Sequence, residues 1–232
     1  MAKDFNHPKV VESYDTHIRK LIPGYDLFHM QIQSILEIYI QSQQIASPRI
    51  LVAGCGTGYE LTYLTRLFPH ATIVALDPSA QMIEYAQQRM SENGFQANLE
   101  WCMGDTQVLK GGDAAPHEKF DVVLSILVSH FIPMPAKQYF FQDLYDSLKS
   151  GGLCISVELA QLEQDMDQQV LRQMALHTGL AEAQADAMLN RLEDDFSLIS
   201  IDQLKALYQD VGFQSVHRFA QVLQYYGSLG YK

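Results

Sequence analysis

From Arg49 onward, short apolar runs alternate with segments whose apolar residues recur at helical spacing. Arg49–Ala53 predicts a strand, and Tyr59–Phe68 a helix with Leu61, Leu64 and Leu67 on one face. Thr72–Leu76 predicts a second strand. Ser79–Ser91 predicts a helix with Ser79 as its N-cap and Met82, Ile83 and Ala86 on its buried side. Asn98–Met103 and Phe120–Ile126 follow as strands, separated by a loop at Lys110–His117. Pro135–Leu148 is helical in pattern, closed by Gly151-Gly152, and Leu153–Val157 is a fifth strand. Strict alternation of this kind predicts an α/β fold: a doubly wound parallel sheet with right-handed crossovers.

Two stretches break the rhythm. The N-terminal segment runs through Val10–Ile22, then Pro23-Gly24-Tyr25, then an amphipathic helix from about Leu27 to Gln44. Gln161–Phe196 is polar and helical, with Met166, Leu171, Met174, Met188 and Leu189 as its apolar positions; it has eight acidic residues against two basic ones, Arg172 and Arg191. After it come a helix at Ile201–Val211 and strands near Ser215–Ala220 and Val222–Leu229. Two strands joined so tightly pair antiparallel, because a parallel pair needs a crossover. The sheet therefore has seven strands, with its last hairpin antiparallel.

At 232 residues with 47% hydrophobic content the chain can bury a substantial core. The net charge of −11 and the lack of a basic cluster argue against a nucleic-acid backbone as partner, and leave a small molecule as the expected substrate. The longest apolar run, around Val122–Val128, is too short to span a bilayer. Met1–His7 lacks the apolar stretch of a signal peptide. The three cysteines, Cys55, Cys102 and Cys154, form no CxxC and fit reduced thiols in a cytoplasmic protein. No metal-ligand pattern stands out.

The chemistry concentrates at Gly54-Cys55-Gly56-Thr57-Gly58. A strand entering a glycine turn and then a helix lets backbone approach a ligand closely, with helix N–H groups presented to it. Asp77 ends the next strand, 21 residues after Gly56, where an acid can accept from ribose hydroxyls. Tyr59 stands where a dinucleotide fingerprint wants glycine, which turns the pattern away from nicotinamide and flavin cofactors. Asp105, followed by Thr106, closes the third strand, where a carboxylate can accept from an adenine amino group; Leu76, Pro78 and Met82 are candidate apolar walls.

In this combination the segment from about Arg49 to Val157 resembles the class I S-adenosylmethionine-dependent methyltransferases. The likeness rests on the Gly54–Gly58 turn, Asp77, Asp105, the strand Phe120-Asp121-Val122-Val123-Leu124-Ser125, and Leu148-Lys149-Ser150-Gly151-Gly152-Leu153. It implies a Rossmann-like methyltransferase sheet and S-adenosylmethionine as cofactor, with S-adenosylhomocysteine as product. Gly54, Cys55 and Gly56 would then border the methionine moiety, Asp77 the ribose, Asp105 and Thr106 the adenine, and Ser125 the sulfonium. The family usually has an acid two positions before the first glycine; this chain has Val52.

The ends of the chain resemble a narrower family, the carboxy-S-adenosylmethionine synthases of tRNA wobble modification, through Ile22-Pro23-Gly24-Tyr25 and Gly227-Ser228-Leu229. That resemblance makes Tyr25 a cofactor contact. The family's arginine for the extra carboxylate falls on Leu189 here, with Arg191 two residues on, so ordinary methyl transfer to a small molecule is the expectation. Carboxy-S-adenosylmethionine synthesis and non-catalytic cofactor binding are the alternatives.

For the reacting centre, His130 follows the fourth strand at the ligand-binding edge of the sheet and is the candidate base or substrate contact. Tyr14, His17 and Arg19 lie in a segment expected to fold over the cofactor, where Arg19 can pair with a carboxylate. Glu158 and His177 are further candidates for the site. The chain divides as one domain over 1–232: a helical cap (1–47), a cofactor-binding core (48–158), a helical lid (159–197) and C-terminal core strands (198–232). A homodimer is compatible with this organisation.

Overall fold

The computed structural model describes residues 8–94, 98–111 and 119–232. The first seven residues and most of the loop expected at Lys110–His117 lie outside these. Two helices, α1 (Pro8–Leu21) and α2 (Tyr25–Ser42), precede β1 (Arg49–Ala53), α3 (Tyr59–Leu67), β2 (Thr72–Asp77), α4 (Ala80–Glu92) and β3 (Asn98–Met103). Then follow β4 (Phe120–Ile126), α5 (Met134–Ser147), β5 (Leu148–Leu159), α6 (Asp165–His177), α7 (Glu182–Asp194), α8 (Ile201–Asp210), β6 (Gln214–Val222) and β7 (Tyr225–Tyr231).

The seven strands form one sheet in the order β3-β2-β1-β4-β5-β7-β6. β1 pairs in parallel with both β2 and β4, so the chain changes winding direction between them. The crevice at such a switch point, at the carboxyl ends of the strands, is where open α/β sheets bind ligands. β7 runs antiparallel to both β5 and β6. This is the α/β, doubly wound sheet with an antiparallel last hairpin that the pattern predicts.

Each sheet face is covered. Ile50 and Val52 of β1 join a cluster with Ile32 and Leu36 of α2, Leu61 and Leu64 of α3 and Ala86 of α4. Leu51 and Ala53 face the opposite cluster, with Phe140, Phe141 and Leu144 of α5 and Leu204 and Tyr208 of α8. This two-residue alternation is the strand period, and both faces are apolar because helices cover both. Val52, at the position where the resembled family has an acid, is fully buried in the first cluster.

Ser79 caps α4 as its sequence predicts, its Oγ accepting from the Met82 N–H. Bounds differ at the last strand, which runs Tyr225–Tyr231 while Val222 ends β6, and at β5. β5 begins at Leu148, so Gly151-Gly152 lie inside the strand rather than closing α5. Between Leu148 and Leu153 the strand bulges away from β4, and the Gly151 N–H donates to the Lys232 carbonyl instead. Gly151, at φ +77°, makes the bulge. The longer strand also takes in Glu158. The insertion forms the hairpin α6–α7, and its two ends meet where the Gln161 N–H donates to the Ile199 carbonyl (2.9 Å).

Candidate functional site

β1 leaves the sheet at Ala53 and turns through Gly54, Gly56 and Gly58, all at positive φ. The Gly54 and Cys55 N–H groups both donate to the Leu76 carbonyl (2.7 and 2.9 Å), which fixes the turn against β2. A Cβ on Gly54 would collide with Val128, whereas above Gly56 there is open space. The backbone at Gly56 therefore lies bare. Asp77 holds the turn from the other side: Oδ2 accepts from the Gly56 N–H (2.8 Å) and Oδ1 from the Ser79 N–H (2.9 Å). Burial pushes this carboxyl above its ordinary range, and the two N–H donors work against that push.

These groups floor a cavity of about 720 Å³, within the range of small-molecule sites. Gly54, Gly56, Asp77, Pro78, Met82, Asp105 and Thr106 all line it, as does Tyr14 of α1. Asp105 caps the short 3-10 turn after β3 by accepting from Gln107 N–H (2.9 Å), and Thr106 donates to Asp143 (2.8 Å), which also pairs with Lys110. The opposite wall is Phe131, Ile132, Pro133 and Tyr139, from the loop after β4 and from α5. No pattern in the sequence marks these four; they reach the cavity because Leu127, at φ +61°, bends the chain sharply out of β4.

Other expected residues stand off this wall. Arg19 pairs with Asp26 (3.0 Å), donates to the Asp15 carbonyl and stacks over Tyr25 and Tyr59. Tyr25 is buried in that stack beside His29, with ring centroids 4.5 Å apart. Cys55 is a buried thiol whose acidity burial lowers. Ser125 is fully buried, and its Oγ has no hydrogen-bond partner. His177 is exposed on α6 against Gln173. Met166, expected among the lid's apolar contacts, is exposed too.

α1 is strapped over the glycine turn. Thr57 Oγ donates to Asp15 Oδ1 (2.6 Å), and Arg89 of α4 pairs with Asp15 Oδ2. Beneath the strap lies a buried polar group: His29 with Tyr63 (3.4 Å) and Glu60 (3.8 Å). Burial raises the Glu60 carboxyl to about 7 and lowers the His29 imidazole to about 3.

A second, smaller cavity of about 50 Å³ adjoins the first, sharing Tyr14, Leu127 and Phe131 with it. His130 lies on this one, with Met188, Arg191 and Phe196 from the insertion. Arg191 is held by Asp195 (2.7 Å), while Leu189 does not line the cavity. His130 packs edge-on against Phe196, and its carbonyl accepts from the Ser197 N–H (2.8 Å), so the end of the insertion is tied to it. Behind it, Glu158 Oε2 lies 3.4 Å from His130 Nδ1, and Glu158 Oε1 accepts from the Ser129 N–H (3.2 Å). The buried Lys137 ammonium donates to the Ser129 carbonyl. Among the described residues no cluster suited to a metal ion occurs, and no helix is long and apolar enough to cross a membrane.

Residues 50–152 match the family described as methyltransferase domain. The biotin biosynthesis bifunctional protein BioHC of Teredinibacter turnerae is 32% identical over 126 residues, covering 52% of this chain and 21% of its own. A carboxy-S-adenosyl-L-methionine synthase of Hydrogenovibrio crunogenus is 23% identical over 231 residues, covering 96% of this chain and 87% of its own. The chain thus spans about a fifth of the first relative and most of the second. The crystal structure of the plantazolicin methyltransferase BamL, in complex with a triazolic desmethylPZN analog and S-adenosylhomocysteine, superposes with a TM-score of 0.70 at 16% identity, over 98% of this chain and 92% of its own. Over residues 50–152 the chain is thus similar to the methyltransferase domain family, and its fold is that of the superposed methyltransferase structure.

Proposed function

We propose that the protein transfers a methyl group from S-adenosylmethionine to a small-molecule acceptor seated beside His130. The observation that carries this is the second cavity, which shares Tyr14, Leu127 and Phe131 with the larger one. An acceptor there borders the cofactor cavity and is covered by α7, so the insertion acts as a lid.

The residues present fit the cofactor. Bare backbone at Gly54–Gly56 receives the methionine moiety, and Cys55 and Ser125 support it from behind the wall. Asp77 receives the ribose hydroxyls, since each of its oxygens has a lone pair left after accepting one N–H. Asp105 and Thr106 border the adenine between Met82, Pro78 and the Phe131 wall. The bound cofactor supplies an electrophilic methyl on a sulfonium. The chain's own work is to hold the acceptor in line with it and keep water out, and proximity of this kind is the main source of rate. Tyr25 and Arg19 act indirectly, by fixing α1 and with it Tyr14.

Two measurements test this. Calorimetry with S-adenosylhomocysteine reads cofactor binding, and no binding would refute the assignment. Incubation with methyl-labelled S-adenosylmethionine and a small-molecule extract should move label into the low-molecular-weight fraction; its absence would refute the small-molecule acceptor.

A second reading, carboxy-S-adenosylmethionine synthesis, is supported by the full-length likeness to that synthase and by Arg191 on the cavity wall. Mass analysis of cofactor extracted from the purified protein decides between the two. A mass one carboxylate heavier than S-adenosylmethionine would favour the second.

A further inference from the structure

Glu158 is buried behind His130, which lines the second cavity, and methyl transfer as described gives it no part. We propose that Glu158 is the positioning residue that makes His130 a general base, and that the acceptor atom carries a proton, as in a hydroxyl or amine. This deepens the reading of His130 as the group beside the acceptor, and rests on it.

Both carboxylate oxygens of Glu158 are committed to one short segment. Oε1 accepts from the Ser129 N–H (3.2 Å) and Oε2 faces His130 Nδ1 (3.4 Å). An ionised carboxylate has only acceptors to offer, so the neutral ring places its proton on Nδ1. That leaves the Nε2 lone pair for the cavity. The Lys137 ammonium donates to the carbonyl of the same Ser129 whose N–H Glu158 accepts, which ties α5 to this pair. The ring is fixed from its other sides by Phe131 and Phe196, at centroid distances of 4.5 and 5.0 Å.

In the step this permits, the acceptor oxygen or nitrogen bonds to the methyl carbon while the carbon–sulfur electron pair passes to sulfur. The acceptor's proton moves to His130 Nε2. The resulting imidazolium is stabilised by the Glu158 carboxylate at Nδ1. An acceptor without a proton to lose, such as a thioether, has no use for this pair.

The ring tautomer tests the proposal without any need to know the acceptor. Long-range proton–nitrogen correlation spectra of the protein loaded with S-adenosylhomocysteine, at alkaline pH, report which ring nitrogen carries the proton; His130→Gln identifies the signal. The wild type should show Nδ1–H. In Glu158→Gln the amide oxygen keeps the Ser129 N–H, its NH₂ turns to Nδ1, and the proton must move to Nε2. Glu158→Asp keeps a carboxylate and should keep Nδ1–H. An Nε2–H ring in the wild type, or no change of tautomer in Glu158→Gln, would overturn the proposal. If Glu158→Gln does not fold, the wild-type tautomer still decides. Calorimetry with S-adenosylhomocysteine on the same samples reads the parent assignment separately: a protein that binds no cofactor sinks the methyltransferase reading and the base role with it, whereas cofactor binding with the wrong tautomer sinks the Glu158 proposal alone.

Discussion

Asp77→Asn separates the anchoring of the glycine turn from the proposed contact with ribose. Asp77 accepts from two backbone N–H groups, Gly56 and Ser79, one on each oxygen. An asparagine has one acceptor oxygen and one NH₂, so one of the two N–H groups loses its partner and faces another donor. A hydrogen bond to a charged group contributes roughly 1.5–3 kcal/mol. Part of that loss is offset, because burial already holds the carboxyl above its ordinary range and a neutral amide escapes that penalty. The net cost should be about 1–2 kcal/mol, or a fall in Tm of about 2–8 °C for a chain of this size. Bound cofactor adds a second loss, since the NH₂ also replaces an acceptor for ribose hydroxyls. Affinity for S-adenosylhomocysteine should fall about 10–100-fold. Thermal denaturation without ligand reads the first effect and calorimetry the second. An unchanged Tm would mean that the carboxylate does not anchor the glycine turn. Unchanged affinity would mean that the ribose assignment is wrong.

The Glu60 carboxyl, raised to about 7 by burial, gives a pH signature. The folded protein keeps this proton up to about pH 7, whereas the unfolded chain releases it near the ordinary 4.5; its contribution is complete below pH 4.5 and is lost as pH rises through 7. Glu60→Gln should therefore gain on the wild type by about 3 kcal/mol between pH 4.5 and 8, seen as a widening Tm difference; parallel curves would refute it. Gly54→Ala must place a methyl against Val128 at a φ of +79°, so we expect about 1–3 kcal/mol of destabilisation and weaker cofactor binding, and a fully stable, fully binding variant would contradict the geometry of the turn. His130→Ala should lower turnover about 10²–10⁴-fold while cofactor affinity by calorimetry stays nearly constant; an equal loss of both would make it a folding or cofactor residue.

Much of the core was legible because its signals are local. Arg49–Ala53, Asn98–Met103 and Phe120–Ile126 appear as strands with the boundaries their apolar runs predict, and Ser79 caps where it should. Gly151-Gly152 misled because glycine is a stop signal for a helix and a bulge signal for a strand, and only pairing with Lys232 decides between them. The residues around the cavity divide in the same way. The turn and its acids lie at strand ends, so their spacing locates them. Arg19 and Tyr25 carry the chemistry of a contact, yet Asp26 and Tyr59 are nearer partners than the cavity. Glu158 and His130 sit 28 residues apart and meet only because β4 and β5 run side by side, with Ile126 opposite Val157. Sequence spacing does not encode that register.

The hydrogen bond between Gln161 and Ile199 has a consequence for how this chain can change. A segment whose ends already touch can be exchanged for another of different length with little strain on the strands that carry it, since closing a longer loop adds only slowly to its entropic cost. Of the second cavity's lining, this stretch supplies Met188, Arg191, Leu192 and Phe196, and it holds none of the glycine turn or its acids. On the proposed function, part of the acceptor's surroundings can thus be exchanged without touching the glycine turn. Grafting a foreign hairpin between Ala160 and Ile199 is the natural way to give this scaffold a new acceptor.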